Sequence, residues 1–251
     1  MQIISISNQK GGIGKTTTTQ AMASGLMQKG FKVLLIDLDP QYSLSLVSGA
    51  KLGELSIYDV LKGKENVNNA IQKTCLNINI IPATLFLAAA DLEFSQTGRE
   101  SLLKSAISEI KEKYDYILID TPPALGILTV NAFTASDKIL IPMEADMLST
   151  QGLGQLINTV NLVIKHCNPK LKIDGILLTK HKQRTRLAQD FSDTIDESAK
   201  QLNSKVYKTR IRESVSIREA QANKEDILKS QPNANAQIDY INFVEEFLGA
   251  E

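Results

Sequence analysis

Short apolar runs recur along the chain, separated by longer amphipathic stretches. The runs are Ile3–Ile6, Val33–Ile36, Ile78–Ile81, Tyr116–Ile119, Ile139–Ile141, Ile173–Leu178 and Val206–Ile211. Each has the length of a strand, and several are rich in Ile and Val. Between them, apolar residues return at helical spacing. Leu102, Leu103, Ala106, Ile107 and Ile110 predict a helix over Ser101–Lys113, and Leu153, Leu156, Ile157, Val160, Val163 and Ile164 predict another. Ile238, Ile241, Phe243, Val244, Phe247 and Leu248 predict a last one. Thr16–Lys29 reads as a helix closed by Gly30 at the position after its cap. The polar stretch Ser230–Gln237 reads as a surface loop. Strand alternating with helix means crossover connections. The expected architecture is a single α/β domain over residues 1–251, with a twisted, mostly parallel sheet flanked by helices on both faces. Ligands of such sheets sit at the carboxyl ends of the strands.

Composition narrows this picture. Hydrophobic residues make up 43% of the chain, but there is no tryptophan and only 5% aromatics, so the core must be aliphatic. A formal net charge of +0 argues against coating DNA or membrane by bulk charge. The charge is uneven, however: residues 170–224 hold 13 Lys/Arg against 7 Asp/Glu. Cys75 and Cys167 lie far apart without CxxC spacing, which removes a zinc or iron–sulfur signature. The chain opens directly on a strand-like run rather than a signal peptide, and no apolar stretch reaches the ~20 residues of a membrane span.

The first run leads into Asn8-Gln9-Lys10-Gly11-Gly12-Ile13-Gly14-Lys15-Thr16-Thr17 and then a helix. Strand, glycine loop and helix form the context that a phosphate-binding loop requires. Glycines let backbone N–H groups turn inward around phosphate oxygens, and the helix N-terminus adds partial positive charge. Lys15 supplies a cation for the β and γ phosphates, and the Thr16 hydroxyl is placed to ligate Mg²⁺. The general pattern would have glycine at position 9, where this chain has Gln9, and it has an additional lysine, Lys10. Two further apolar runs end in carboxylates. Val33–Ile36 runs into Asp37-Leu38-Asp39-Pro40, and Tyr116–Ile119 runs into Asp120-Thr121-Pro122-Pro123. An apolar strand ending in aspartate is the Walker B arrangement, in which Asp120 holds Mg²⁺ directly or through water.

The sequence Lys10-Gly11-Gly12-x-Gly14-Lys15-Thr16 resembles the deviant Walker A loop of the ParA/MinD family, and D-T-P-P at 120–123 is also what members show. The likeness covers most of the chain and is densest over residues 3–47 and 114–155. It implies a P-loop NTPase fold, ATP with Mg²⁺, and a nucleotide site over Lys10–Thr17 (including Ile13 and Thr17). It implies that Lys10 reaches across a dimer interface to the partner's nucleotide. It also implies that Asp39 positions the attacking water; the role of Asp37 stays open between that site and a helix cap. Family members often carry glutamine where this chain has Glu144, which receives no chemistry here.

The resemblance also implies that basic residues of the C-terminal half bind DNA backbone without sequence preference, once the ATP dimer has formed. The candidates are Lys180, Lys182, Arg184, Arg186, Arg212 and Arg218; a merely solvated charged face is the alternative. The leading expectation is a cytoplasmic, nucleoid-associated DNA-partition ATPase with weak basal turnover. A ParB-like centromere-binding adaptor would stimulate it, and no N-terminal helix-turn-helix domain is expected. The alternatives are a membrane-positioning ATPase of the MinD kind and a nucleotide-gated DNA-binding or regulatory module. The acidic tail Val244-Glu245-Glu246-Phe247-Leu248-Gly249-Ala250-Glu251 disfavours a bilayer, since anionic lipid would repel it.

Overall fold

A computed structural model describes residues 1–181, 195, 197–200 and 202–249. Every apolar run becomes a strand, and a short polar strand, β3, is added to them: β1 (Gln2–Ile6), β2 (Val33–Asp37), β3 (Gln72–Lys73), β4 (Asn79–Ile81), β5 (Tyr116–Asp120), β6 (Lys138–Met143), β7 (Lys172–His181) and β8 (Val206–Arg212). They form one sheet in the order β3-β4-β2-β5-β1-β6-β7-β8. All pairings are parallel except that of the short edge strand β3 with β4. This is the expected mostly parallel sheet.

Alternate residues of the central strands feed two separate cores. Ile3, Leu34, Ile36, Ile117, Ile119 and Ile139 face one side. Ile4, Ile6, Leu35, Leu118 and Leu140 face the other. Because both faces are covered, β2 and β5 are buried at every position and show no polar alternation. The first core is closed by α5 (Leu102–Ile107), α6 (Ile127–Ala135) and α7 (Met147–His166), the second by α1 (Lys15–Gln28) and the C-terminal helix (Asn235–Gly249). Other helical pieces are α2 (Ser43–Val47), α3 (Ile57–Leu61), α4 (Ala90–Glu93) and α8 (Val215–Ala222), so the C-terminal helix is α9.

Helix α1 ends as read: Gly30 adopts φ 92°, and its N–H donates to Met27 O at 3.0 Å. The predicted helix over 101–113 is broken. It runs as α only to Ile107, and Lys111–Lys113 form a 3₁₀ turn. Just past its end the Ser108 hydroxyl donates to Ser105 O at 2.7 Å, a local bond that competes with helix continuation. The loop expected over Ser230–Gln237 is shorter, because α9 already begins at Asn235. Helix α6 escapes periodicity altogether: eight of its nine residues are buried, so it has no polar face to mark its phase.

Tyr207 and Phe243 meet edge-on, with ring centroids 4.9 Å apart, and both are fully buried between β8 and α9. Phe243→Ala is expected to lower unfolding free energy by about 3–5 kcal/mol, read from the urea midpoint at unchanged slope.

Candidate nucleotide site

The register of three central strands sets the site. Ile6 pairs with Asp120, and Asp120 with Asp37, so the carboxyl ends of β1, β5 and β2 lie level. The glycine loop leaves β1 at this level and turns back into α1. Gly12 (φ 73°) and Gly14 (φ 95°) take left-handed conformations that a side chain would oppose, and Gly14 caps α1. The first N–H groups of α1 have no helical acceptor and face the site, as at any helix start.

Long-range bonds hold the loop. The Asn8 amide donates to Pro142 O at 2.8 Å, and Asn8 Oδ1 accepts from Lys10 N at 3.1 Å. Thr179, at the end of β7, donates to Ile13 O at 2.7 Å. Thr18 on α1 and Tyr240 on α9 share a buried hydroxyl–hydroxyl bond of 3.1 Å below Gly14. Beside the loop opens a cavity of about 620 Å³, lined by Gly11–Thr17, Asp39, Thr179, Lys180, Ile217 and Gln221, among others.

Lys15 is only 7% exposed, and its Nζ donates to Lys10 O at 3.2 Å. Burial lowers its pKa, and Asp120 and Asp39 oppose that by attraction. Asp120 is pushed well above the carboxylate range, first by burial and then by repulsion from Asp37. Its Oδ2 accepts from Thr16 Oγ1 at 2.7 Å, while its buried Oδ1 has no hydrogen-bond partner. Asp37 accepts from Ser45 N (2.8 Å), Ser45 Oγ (2.7 Å) and Asp39 N (3.1 Å); burial nevertheless raises it to about 6. Asp37 therefore braces the segment after β2, a role nearer the cap than the reacting end. Asp39 accepts from Gln41 N at 2.9 Å and lines the cavity.

The oxygen set fits a hard divalent cation. Thr16 Oγ1 and an orphaned, buried Asp120 oxygen sit together, and such a site needs phosphate oxygens or water to complete it. Among the described residues no group of three His, Cys, Asp or Glu could bind a metal unaided.

The remaining sequence candidates spread out. Lys180, Arg212 and Arg218 line the cavity rather than a separate face. Arg212 is committed to Asp239, donating from Nη2 to Oδ1 at 2.7 Å and from Nε to Oδ2 at 2.9 Å. Lys182, Arg184 and Arg186 lie outside the described residues. Thr179, Tyr240 and Gln221 were not foreseen. Their partners are 166, 222 and 204 residues away, and nothing local marks them.

A glycine-rich phosphate loop with a buried lysine, a level pair of carboxylates and an oxygen-lined metal position define a P-loop nucleoside-triphosphatase with a second lysine in its loop. The AAA-domain family model matches residues 1–173. The chain is 41% identical over 249 residues to the sporulation initiation inhibitor protein Soj of Bacillus subtilis, covering 98% of this chain and 97% of that one. It is 35% identical over 257 residues to the chromosome partitioning protein ParA of Caulobacter vibrioides, covering 100% and 95%. A cobyrinic acid a,c-diamide synthase from Mycobacterium smegmatis, solved with an ATP analogue and magnesium, superposes with TM-score 0.83 at 29% identity over 99% of this chain and 94% of that one. Its name gives a different reaction; what it shares with this chain is the frame. The chain belongs to the ParA/Soj family of chromosome-partitioning ATPases.

The raised Asp37 pKa gives a pH signature. The folded state binds this proton more tightly than the unfolded state does, so stability falls as pH rises from about 4 to about 6. The full cost above that window is about 3 kcal/mol at most. Urea midpoints of the nucleotide-free protein across that window should show this fall, and Asp37→Asn should reduce it, leaving the part that the raised Asp120 contributes.

Proposed function

We propose that the chain is a DNA-partition ATPase. Its ATP-bound form pairs face to face with a second copy, binds DNA without sequence preference, and lets go when a ParB-like centromere-binding adaptor stimulates hydrolysis. The observation that carries this reading is one phosphate loop with two lysines in different settings. Lys15 is buried and lines the cavity, and Lys10 stands just outside it, next to the lining residue Gly11, with its side chain 28% exposed. One cation serves the chain's own nucleotide; the other serves a neighbour's.

In this reading Gly11–Thr17 cradle the phosphates and Lys15 neutralises the β and γ oxygens. Mg²⁺, held by Thr16, Asp120 and phosphate oxygens, supplies further charge neutralisation when bound. Asp39 accepts a hydrogen bond from the attacking water and orients it toward the γ-phosphorus. The water oxygen forms a new P–O bond, the bond to the β-phosphate oxygen breaks, and ADP, phosphate and a proton leave. Lys10 stabilises charge in the partner's site. A lone subunit lacks that cation, so basal turnover is slow.

Lys180 and Arg218 at the cavity mouth, together with Lys182, Arg184 and Arg186, would meet DNA phosphates; Arg212 would contribute only after leaving Asp239. A two-fold axis presents each charge twice. Among the described residues the C-terminal helix is not free for the membrane alternative. Phe243, Val244 and Phe247 of α9 are buried in the core, and no helix among the described residues is long and apolar enough to cross a membrane.

Lys15→Ala should abolish ATP binding in calorimetry. Asp39→Ala should bind ATP and pair, yet turn over at least about 100-fold more slowly. DNA retention on filters should require ATP and fall steeply between about 50 and 200 mM salt. Equal retention with and without ATP would overturn the DNA reading.

A further inference from the structure

Lys10 is not idle in the nucleotide-free chain. Its Nζ donates to Asp146 Oδ2 at 2.6 Å and to Glu144 Oε2 at 3.1 Å. Both carboxylates sit where β6 gives way to α7, on the far side of the loop from the cavity floor. Burial would pull Asp146 upward, but the bonds from Lys10 and Ser149 outweigh it and hold the carboxyl down at about 2; Lys10 is itself raised for the same reason. The loop is docked on this segment at two other points. Asn8 donates to Pro142 O, and Gln9 packs beside Gly152 in the first turns of α7. Glu144 also reaches Lys180 Nζ at 3.3 Å with its other oxygen, so one carboxylate spans two rim cations.

Two of the three donors of the Lys10 ammonium are taken by carboxylates of its own subunit, and the negative charge of that pair repels a phosphate of another subunit that approaches the third. We propose that Glu144 and Asp146 are positioning residues for Lys10: they clamp its ammonium within its own subunit, and pairing requires the clamp to open. This rests on the reading that Lys10 acts across the pair. The clamp is built to yield. Its three side chains are about a quarter to a third exposed, so each ion pair is weak enough for a triphosphate to outcompete. It also acts twice in a symmetric pair, once per subunit, so a modest local effect is squared in the dimer constant.

The Asp146 carboxylate separates two roles. Its Oδ1 caps α7 by accepting from Ser149 N at 2.8 Å, while Oδ2 takes Lys10. Asp146→Asn keeps an acceptor for the cap and replaces the other oxygen with a donor that cannot hold an ammonium. Glu144→Gln does the same to the second arm.

Two measurements on the full chain test the clamp. In the first, nucleotide-free protein is labelled briefly with acetic anhydride, and acetylation of Lys10 is read by peptide mass spectrometry, with exposed Lys51 as the internal standard. The double variant Glu144→Gln/Asp146→Asn should label Lys10 about threefold or more faster than wild type, at an unchanged melting temperature. Equal labelling overturns the clamp whether or not dimers form. In the second, sedimentation with saturating ATP gives the dimer Kd. The double variant should pair roughly fivefold to twentyfold more tightly than wild type, the square of the effect of weak ion pairs. Asp146→Glu, which restores a carboxylate, should return toward wild type. An unchanged or weaker dimer constant in the double variant overturns the proposal. Wild type that binds ATP yet stays monomeric at every concentration sinks the pairing reading itself, and the labelling arm tells that failure from a failure of the clamp.

Discussion

The site depends on a strand register. Pairing Ile6 with Asp120 and Asp120 with Asp37 brings the ends of β1, β5 and β2 to one level, at the mouth of a sheet covered on both faces. Three ionisable groups, Lys15, Asp37 and Asp120, are thereby held out of water. Burying charge is costly, and the cost is visible as raised carboxylates and a lowered lysine. Each shift points to the same deficit: the pocket holds a cation and two acids that are poorly solvated without further partners. A triphosphate with its metal would supply what the protein leaves unsatisfied, above all at Asp120 Oδ1.

The cavity is completed by parts of the chain remote from the loop. Thr179 fastens Ile13 from β7, and Tyr240 meets Thr18 from α9. Strand β8 and helix α8 contribute Ile211 and Gln221 to the opposite wall. Glu246 accepts from Lys208 N, Thr209 N and Thr209 Oγ1, which ties α9 to β8 along the sheet edge. The C-terminal helix is therefore a brace for the nucleotide pocket, with Phe243, Val244 and Phe247 buried in the core.

The second lysine of the loop illustrates how one residue type takes two roles by position. Lys15 follows the turn into the sheet's mouth and is enclosed. Lys10, five residues earlier, lies on the side of the loop docked against β6 and α7 and meets carboxylates instead. Glu144 joins Lys10 and Lys180 in one chain of charge at the rim. Opening that chain frees both cations together.

Much of this was determined by sequence alone. The glycine loop is contiguous, so Gly12, Gly14, Lys15 and Thr16 announce the phosphate site by local spacing, and the apolar runs of β2 and β5 announce strands that end at Asp37 and Asp120. Resemblance over those same residues placed the chain in its family. Helix α6 was illegible because it is buried all round and has no phase, and the break after Ile107 was hidden because an apolar stripe continues through it. Arg212 reads as one more basic residue until Asp239, 27 positions later, claims it. The clamp on Lys10 was likewise invisible, since Glu144 and Asp146 lie more than 130 residues from it. Spacing along a chain encodes what one turn or one strand can do. Which distant charges meet is set by strand order and register, and those exist only once the sheet has assembled.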